Sequence, residues 1–256
     1  MIGTCLAEHE GIRCISREVL VESVNQFGEL ATRITKTFTR AVEDYEQFSS
    51  LRRAYRILMK RALLEHARSG AMAYFGYSGH LLAGKVRHFV RIRLIAPMAL
   101  RIARTRELRG GSEEEAREYI RGVDQERTRW ARMMYGLDIR DPGLYDLSLN
   151  IERLSLAGAC SLLRSAMREA DFQPTMASIA QVEDDYIATR GLAALVLDPR
   201  TQELELDAVV NDGVLRIEGP YLSEAEKHTV ISIVEPVPGV RGIKYEPGYA
   251  PAFRTS

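Results

Sequence analysis

The chain has 256 residues, 46% of them hydrophobic, enough to bury one good core and a second small one. Its 35 Lys and Arg balance 35 Asp and Glu, but residues 177–256 hold seven basic against thirteen acidic side chains, leaving 28 against 22 in residues 1–176. No apolar run approaches the roughly 18 residues that span a bilayer, and Met1-Ile2-Gly3-Thr4-Cys5 lacks the basic start of a signal peptide, which excludes a membrane span and predicts a cytoplasmic protein. Cys5, Cys14 and Cys160 read as isolated thiols without metal-ligand spacing, so neither a disulfide framework nor a metal site is expected.

In chain order, Ile2, Cys5, Leu6 and His9 set a short helical period that stops at Gly11, and Ile12 to Arg17 reads as a short strand. From Glu18 to Ser69 apolar residues recur at three and four: Leu20, Val24, Phe27, Leu30, Ile34 and Phe38, then Tyr55, Leu58, Met59, Ala62 and Leu63. These are amphipathic helices, whose stripes serve as core, as a substrate flap or as a partner-binding hairpin. Ala71 to Tyr77 reads as a third strand segment, and the lone His80 beside Leu81 and Leu82 as a structural side chain rather than a general acid or base.

Phe89 to Ile95 is rich in branched apolar residues and suits a mostly buried strand. Pro97 opens a helix that carries Arg101, Arg104 and Arg106 and ends at Gly110-Gly111. Ser112 followed by Glu115 is a capping box, with Glu113 and Glu114 at the positive end of the helix dipole. The second helix holds Arg117, Arg121 and Asp124 on one face, with Arg127 one turn beyond Asp124 and then Arg129 and Arg132. Forked cations around one carboxylate suit phosphate, and the same pattern also describes a solvated, ion-paired face. Tyr145 to Asn150 reads as a strand, and Ser155 as the N-cap of a helix reaching about Ala170.

Composition changes near Asp171, which places a linker at 172–182. Beyond it come a helix through Ile187 and Val196, a strand from Leu204 to Val210, a tight turn at Asp212-Gly213, a returning strand from Val214 to Gly219, a helix from Ser223 to Glu235 and a last strand ending near Tyr245.

The ordered motifs Ala96-Pro97 with Arg101 and Arg104, Val123 to Arg129, Tyr145-Asp146-Leu147 and Leu154-Ser155 resemble the second half of a cytidylate-kinase-like P-loop protein. The resemblance implies an α/β fold over residues 1–171, a parallel sheet with helices on both faces, and ATP-dependent phosphoryl transfer with Mg²⁺ to CMP or a similar nucleotide. Carried over residue by residue, it implies catalytic roles for Arg104, Asp124, Arg127 and Arg129 in a lid, with Asp124 orienting Arg127, and substrate contacts for Arg17 and Arg101. Two features depart from the family. Tyr77 and Ser78 stand where it carries a substrate-binding arginine, and no GxxxxGKS/T loop occurs anywhere in the sequence, so no cofactor-binding residues can be named. The loop was lost, or the coding start lies downstream of the true one.

In the resembled fold the strand leading into that loop is the middle one of order 2-3-1-4-5. Without it, the strands near residues 74 and 92 should either pair directly or stand about 9–10 Å apart, two strand spacings. Residues 183–250 resemble a BON domain, a small α+β ligand-binding module, expected here to fold on its own. Three functions follow: a nucleoside monophosphate kinase, a non-catalytic nucleotide-binding regulator, or a scaffold presenting the BON-like module to its ligand. No nucleic-acid partner is expected.

Overall fold

A computed structural model of the chain describes residues 11–39, 49–76, 79–84 and 86–248. The expected helix at Ile2 to His9, and Tyr77 and Ser78, lie outside the described residues. The elements in chain order are β1 (Arg13–Ser16), α1 (Arg17–Asn25), α2 (Glu29–Thr39), α3 (Ser49–Arg68), β2 (Met72–Phe75), β3 (Ile92–Ile95), α4 (Met98–Arg109), α5 (Glu113–Tyr135), β4 (Leu147–Asn150), α6 (Leu156–Arg168), α7 (Met176–Leu197), β5 (Asp207–Asn211), β6 (Val214–Gly219), α8 (Glu224–Val234) and β7 (Gly242–Pro247). A single helical turn at Gly79–Leu82 follows β2. The mixture of helices with parallel strand pairs is that of an α/β protein and is compatible with a kinase-like fold.

The chain divides into two compact units, one of Met1–Cys14, Ala73–Leu81 and Arg87–Gln173, the other of Ile15–Met72, Leu82–Val86 and Pro174–Ser256. In the first, β3 and β4 pair in parallel with Ile92 opposite Leu147 and Ile95 opposite Asn150. Arg91 fixes the entry to this pair: its guanidinium donates to both oxygens of Asp146 at 2.7 and 3.1 Å, and its backbone N–H donates to the same carboxylate at 2.7 Å. Ser155 caps α6 by accepting from the Gly158 N–H, and Cys160 and Leu163 of α6 collect Ile92, Leu147, Leu149 and Met167 around them, together with Ala73 of β2.

β1 and β2 form one two-stranded sheet and β3 and β4 another. Of the two arrangements expected from the sequence, direct pairing of the strands near 74 and 92 is therefore not formed. Phe75, Leu94 and Ile95 are left 38–43% exposed at the strand ends.

Cys160 corrects another expectation, being buried and disulfide-bonded rather than an isolated thiol, while Cys14 stands outside any disulfide. Cysteines distant in sequence leave no spacing signal for a pairing made by tertiary structure.

The second unit is built around α7, which is buried on several sides: Tyr186, Ile187, Leu192, Ala193, Leu195 and Val196 are all at most 6% exposed. Residues 176–182, where the composition change marked a linker, are its first two turns. A Thr175–Ser178 capping box starts the helix there, with serine in the place where glutamate or glutamine gives the usual signature. Along one flank α7 packs against α3, whose Leu58, Ala62 and Leu64 are fully buried. Arg68 of α3 donates to both oxygens of Glu183 and its guanidinium lies 4.2 Å from the centre of the Tyr186 ring. Arg53 donates to the Leu204 carbonyl at 3.1 Å.

The three strands follow in the order β5-β6-β7, antiparallel then parallel. Asp212 and Gly213 turn the hairpin with φ of 50° and 77°, a backbone that Gly and Asp tolerate best. Residues 15–72 thus pack with the C-terminal residues, because the apolar stripe of α3 finds its cover on α7.

Candidate functional site

Parallel α/β sheets bind ligands beyond the carboxyl ends of their strands. At that end of β3 the chain passes through Ala96 and Pro97 into α4, and the Arg101 N–H bonds back to the Pro97 carbonyl as the first turn closes. Gly110 and Gly111, at φ 74° and 87°, reverse the chain, and the Ser112–Glu115 capping box starts α5 as its sequence signature predicts. Gly136 in the left-handed conformation ends it. The two helices meet through Ile102, Ala116 and Ile120, with Met98 against them.

The strongest polar tie of the hairpin is Arg101 to Asp124. Nη1 donates to Oδ2 and Nη2 to Oδ1, each at 2.7 Å, in a part-buried setting. The hydrogen bonds to Asp124 raise the Arg101 pKa, with burial opposing. Both oxygens of Asp124 thus accept from Arg101.

Arg104 lies one turn beyond Arg101 on α4, exposed and bonded to Glu107 at 2.7 Å. Arg127 lies one turn beyond Asp124 on α5 and is exposed. Arg129 is exposed as well, but α5 is continuous through this stretch, and residues two apart project to different sides of a helix. Arg101 and Asp124 are thus brought together, with Arg104 and Arg127 each a turn further along its helix, and Arg129 points elsewhere.

Arg17, the other expected substrate contact, belongs to the second unit. It is the first residue of α1, and its guanidinium donates to the Tyr55 hydroxyl at 3.0 Å and the Phe38 carbonyl at 3.4 Å. Burial raises the Tyr55 pKa, and the neighbouring Arg17 charge opposes the shift.

His80 is packed against an aromatic ring, and its buried Nε2 has no hydrogen-bond partner among the described residues. Its ring stacks on Tyr145 with centroids 4.6 Å apart, and burial, followed by the charges of Arg91 and Arg93, lowers its pKa to about 4. A group that sequence reasoning missed is Asp138, which accepts from Arg140 at 2.7–3.2 Å and from Arg132 at 3.3 Å. Hydrogen bonds from Arg140 hold its carboxyl well below the usual range. The i, i+2 spacing of Asp138 and Arg140 was the only available signal.

The fold is that of an α/β protein and is compatible with a kinase-like architecture. A sequence model of the Cytidylate kinase-like family matches residues 1–153, and the chain belongs to that family. It is 24% identical to a cytidylate kinase from Pyrococcus horikoshii over 167 residues, 65% of this chain and 80% of the relative. An uncharacterized protein from Eubacterium ventriosum has a similar crystal structure, with a TM-score of 0.50 at 15% identity, covering 65% of this chain and 89% of the other. No helix among the described residues is long and apolar enough to cross a membrane.

The family suggests use of ATP and Mg²⁺. Among the described residues no group of three or more His, Cys, Asp or Glu side chains is placed to hold a metal ion, Asp124 gives both oxygens to Arg101, and the one stretch with GxxxxGK spacing, Gly79 to Lys85, is followed by Val86 rather than Ser or Thr and has Gly79–Leu82 wound into a helical turn. These residues do not fit a resident Mg²⁺–ATP site.

Proposed function

We propose that this chain is a nucleoside monophosphate kinase relative that binds the phosphates of a CMP-like nucleotide on its α4–α5 hairpin and, in the 256 residues as they stand, does not transfer a phosphoryl group. Membership of the Cytidylate kinase-like family supports a nucleoside monophosphate kinase-like function. The observation that carries the finer reading is the two-point Arg101–Asp124 tie. It fixes two arginine-bearing helices at the carboxyl end of β3, with Arg127 one turn from the tie on the β3 side and Arg104, bonded to Glu107, one turn toward the Gly110-Gly111 reversal, and a guanidinium held near the strand end can take a phosphate by its fork. Phosphoryl transfer asks for more: catalysis there is almost wholly positioning and charge stabilisation around the triphosphate, and no complete GxxxxGKS/T loop stands in the sequence to supply it.

The split of the parallel strands supports the related reading that a central strand is missing. Among the described residues β1–β2 and β3–β4 are separate two-stranded pairs, while Ala73, Ile92 and Leu147 share one helix as cover. An isolated pair of strands buries few of its backbone polar groups in a ladder, and Phe75, Leu94 and Ile95 stay partly uncovered.

A coupled assay with ATP, Mg²⁺ and CMP should show no turnover, while calorimetry should show CMP binding that weakens with salt. Turnover of roughly 1–100 per second would overturn the non-catalytic reading, and no measurable CMP binding would overturn the site.

A second reading rests on the C-terminal elements. The order helix, antiparallel hairpin, helix, parallel strand over residues 176–247 supports a BON-like ligand-binding module, with the kinase-like part acting as its carrier.

A further inference from the structure

We propose that the cleft between α2 and the loop after α7 is a second binding site, for a phosphate-bearing small molecule that also carries hydroxyl groups. It lies wholly within the second unit, and the proposal stands whether or not the hairpin binds nucleotide.

The cleft has a volume of about 1140 Å³ and is lined by Glu29, Arg33, Lys36 and Thr37 on one side and by Pro199 and Gln202 on the other. Small-molecule sites run to roughly 300–1,000 Å³, so the space suits a molecule of nucleotide or sugar-phosphate size rather than a lone ion.

The donors are uncommitted. Arg33 and Lys36 stand one turn apart on the same side of α2, both exposed, and neither has an ion-pair partner among the described residues. Several other cations of this unit are engaged: Arg200 is bound by Asp198 at 2.7 and 3.0 Å, Arg68 by Glu183 and Lys60 by Asp185 at 3.6 Å. Gln202, half-buried, lines the opposite wall and gives its backbone N–H to the Asp198 carbonyl.

A guanidinium and an ammonium at this spacing can hold two oxygens of one phosphate, the first by its fork and the second as a point charge. Glu29, in the first turn of α2, would repel a second anion but can accept from a sugar hydroxyl. That pairing of two cations with one acceptor selects a phosphate ester over a bare polyanion. Pro199 and Leu30 add apolar surface against which a ring can lie. Gln202 and Pro199 lie beyond residue 153, where the family match ends, so the far wall of the cleft comes from the C-terminal part of the chain.

The test is calorimetry on the full chain with CMP, inorganic pyrophosphate and cytidine as probes, using wild type, R33Q/K36Q and R104A/R127A. In R104A/R127A, where the hairpin is disarmed, CMP should still bind. In R33Q/K36Q that remaining component should weaken at least about tenfold, as expected from losing charged hydrogen bonds, and cytidine should not bind at all. CMP should bind this component more tightly than pyrophosphate does, because only CMP offers hydroxyls to Glu29.

Backbone amide resonances of Lys36, Thr37 and Gln202 should move when CMP is added to R104A/R127A. The exchanged side chains are exposed, so both variants should melt as wild type does, and Gln202→Ala provides a second variant, expected to weaken the same component. Equal CMP affinity in wild type and R33Q/K36Q, with unmoved Thr37 and Gln202 resonances, would overturn the proposal. Loss of all CMP binding in R104A/R127A would do so too, assigning every site to the hairpin.

Discussion

Arg101 and Asp124 face each other across two helices and share two parallel hydrogen bonds of 2.7 Å each. The pair is the chief polar tie of a hairpin whose apolar contact comes down to Ile102, Ala116, Ile120 and Met98. Both side chains are partly exposed, at 31% and 43%, so solvent screens much of their attraction. Asp124→Asn should cost only about 1 kcal/mol of stability, toward the upper end for an accessible ion pair because the geometry is two-pronged. A double-mutant cycle with Arg101→Gln, read from urea midpoints, should give a coupling of about 0.5–1 kcal/mol. Additive effects of the two changes would mean that the pair contributes no stability.

The two exposed arginines further along α5 should differ. Arg127→Ala should weaken CMP binding to the hairpin by about 1.5–3 kcal/mol, the range for a hydrogen bond to a charged group. Arg129→Ala should change it by less than about 0.5 kcal/mol, since a residue two positions on leaves the face that Arg101 and Asp124 share. Calorimetry in R33Q/K36Q isolates the hairpin component, and equal losses for the two substitutions would require α5 to unwind on binding.

Residues 15–72 depend on the C-terminal part for their core. Leu58 is fully buried in the helix that packs on α7, so Leu58→Ala should cost about 2–5 kcal/mol through lost burial and the cavity left behind. A chain ending at residue 173 should lose amide protection throughout Tyr55 to Leu64, and residues 174–256 expressed alone should be partly molten, against the expectation of a module that folds by itself. Hydrogen exchange on both fragments checks this, and full protection of α3 in the shorter chain would refute it.

His80 predicts a pH dependence of stability in the first unit. Its folded pKa of about 4 lies below the unfolded value of about 6.5. Between these values the unfolded chain takes up a proton that the folded chain refuses, so the contribution of His80 is whole above pH 6.5 and is lost as pH falls toward 4. The groups that face the ring are the cations Arg91 and Arg93 and the phenol of Tyr145, and Arg91 is itself held by Asp146. Allowing for solvent access, the loss should be roughly 2 kcal/mol. Denaturant midpoints at pH 7, 5.5 and 4.5 should fall less steeply in His80→Gln, and parallel slopes would remove His80 as the source.

What the sequence made legible was local. The Ser112–Glu115 capping box, the Ser155 cap, the Asp212-Gly213 turn and the Gly110-Gly111 stop all lie within a few residues of their partners, and each forms where the pattern places it. The arginine hairpin could be read in outline because its residues repeat at helical spacing. Its main bond could not, because Arg101 and Asp124 are 23 residues apart and on different helices. The start of α7 was misplaced into a linker since Thr175 and Ser178 cap without the usual acidic residue. The partner of α3 was hidden for a different reason: an amphipathic stripe shows that something covers it but not what.

The bond from Arg68 to Glu183 spans 115 residues of chain and that from Arg53 to Leu204 spans 151. During synthesis α3 therefore leaves the ribosome long before the helix that covers it exists. At about 5–20 residues per second, the gap between Arg68 and Glu183 corresponds to roughly 6 to 23 seconds in which the α3 stripe has no native cover. Over that interval the nascent chain presents Leu58, Met59 and Leu63 to whatever apolar surface is nearest, and the growing protein is most open to chaperone capture and to misassembly with a neighbouring copy just before α7 emerges.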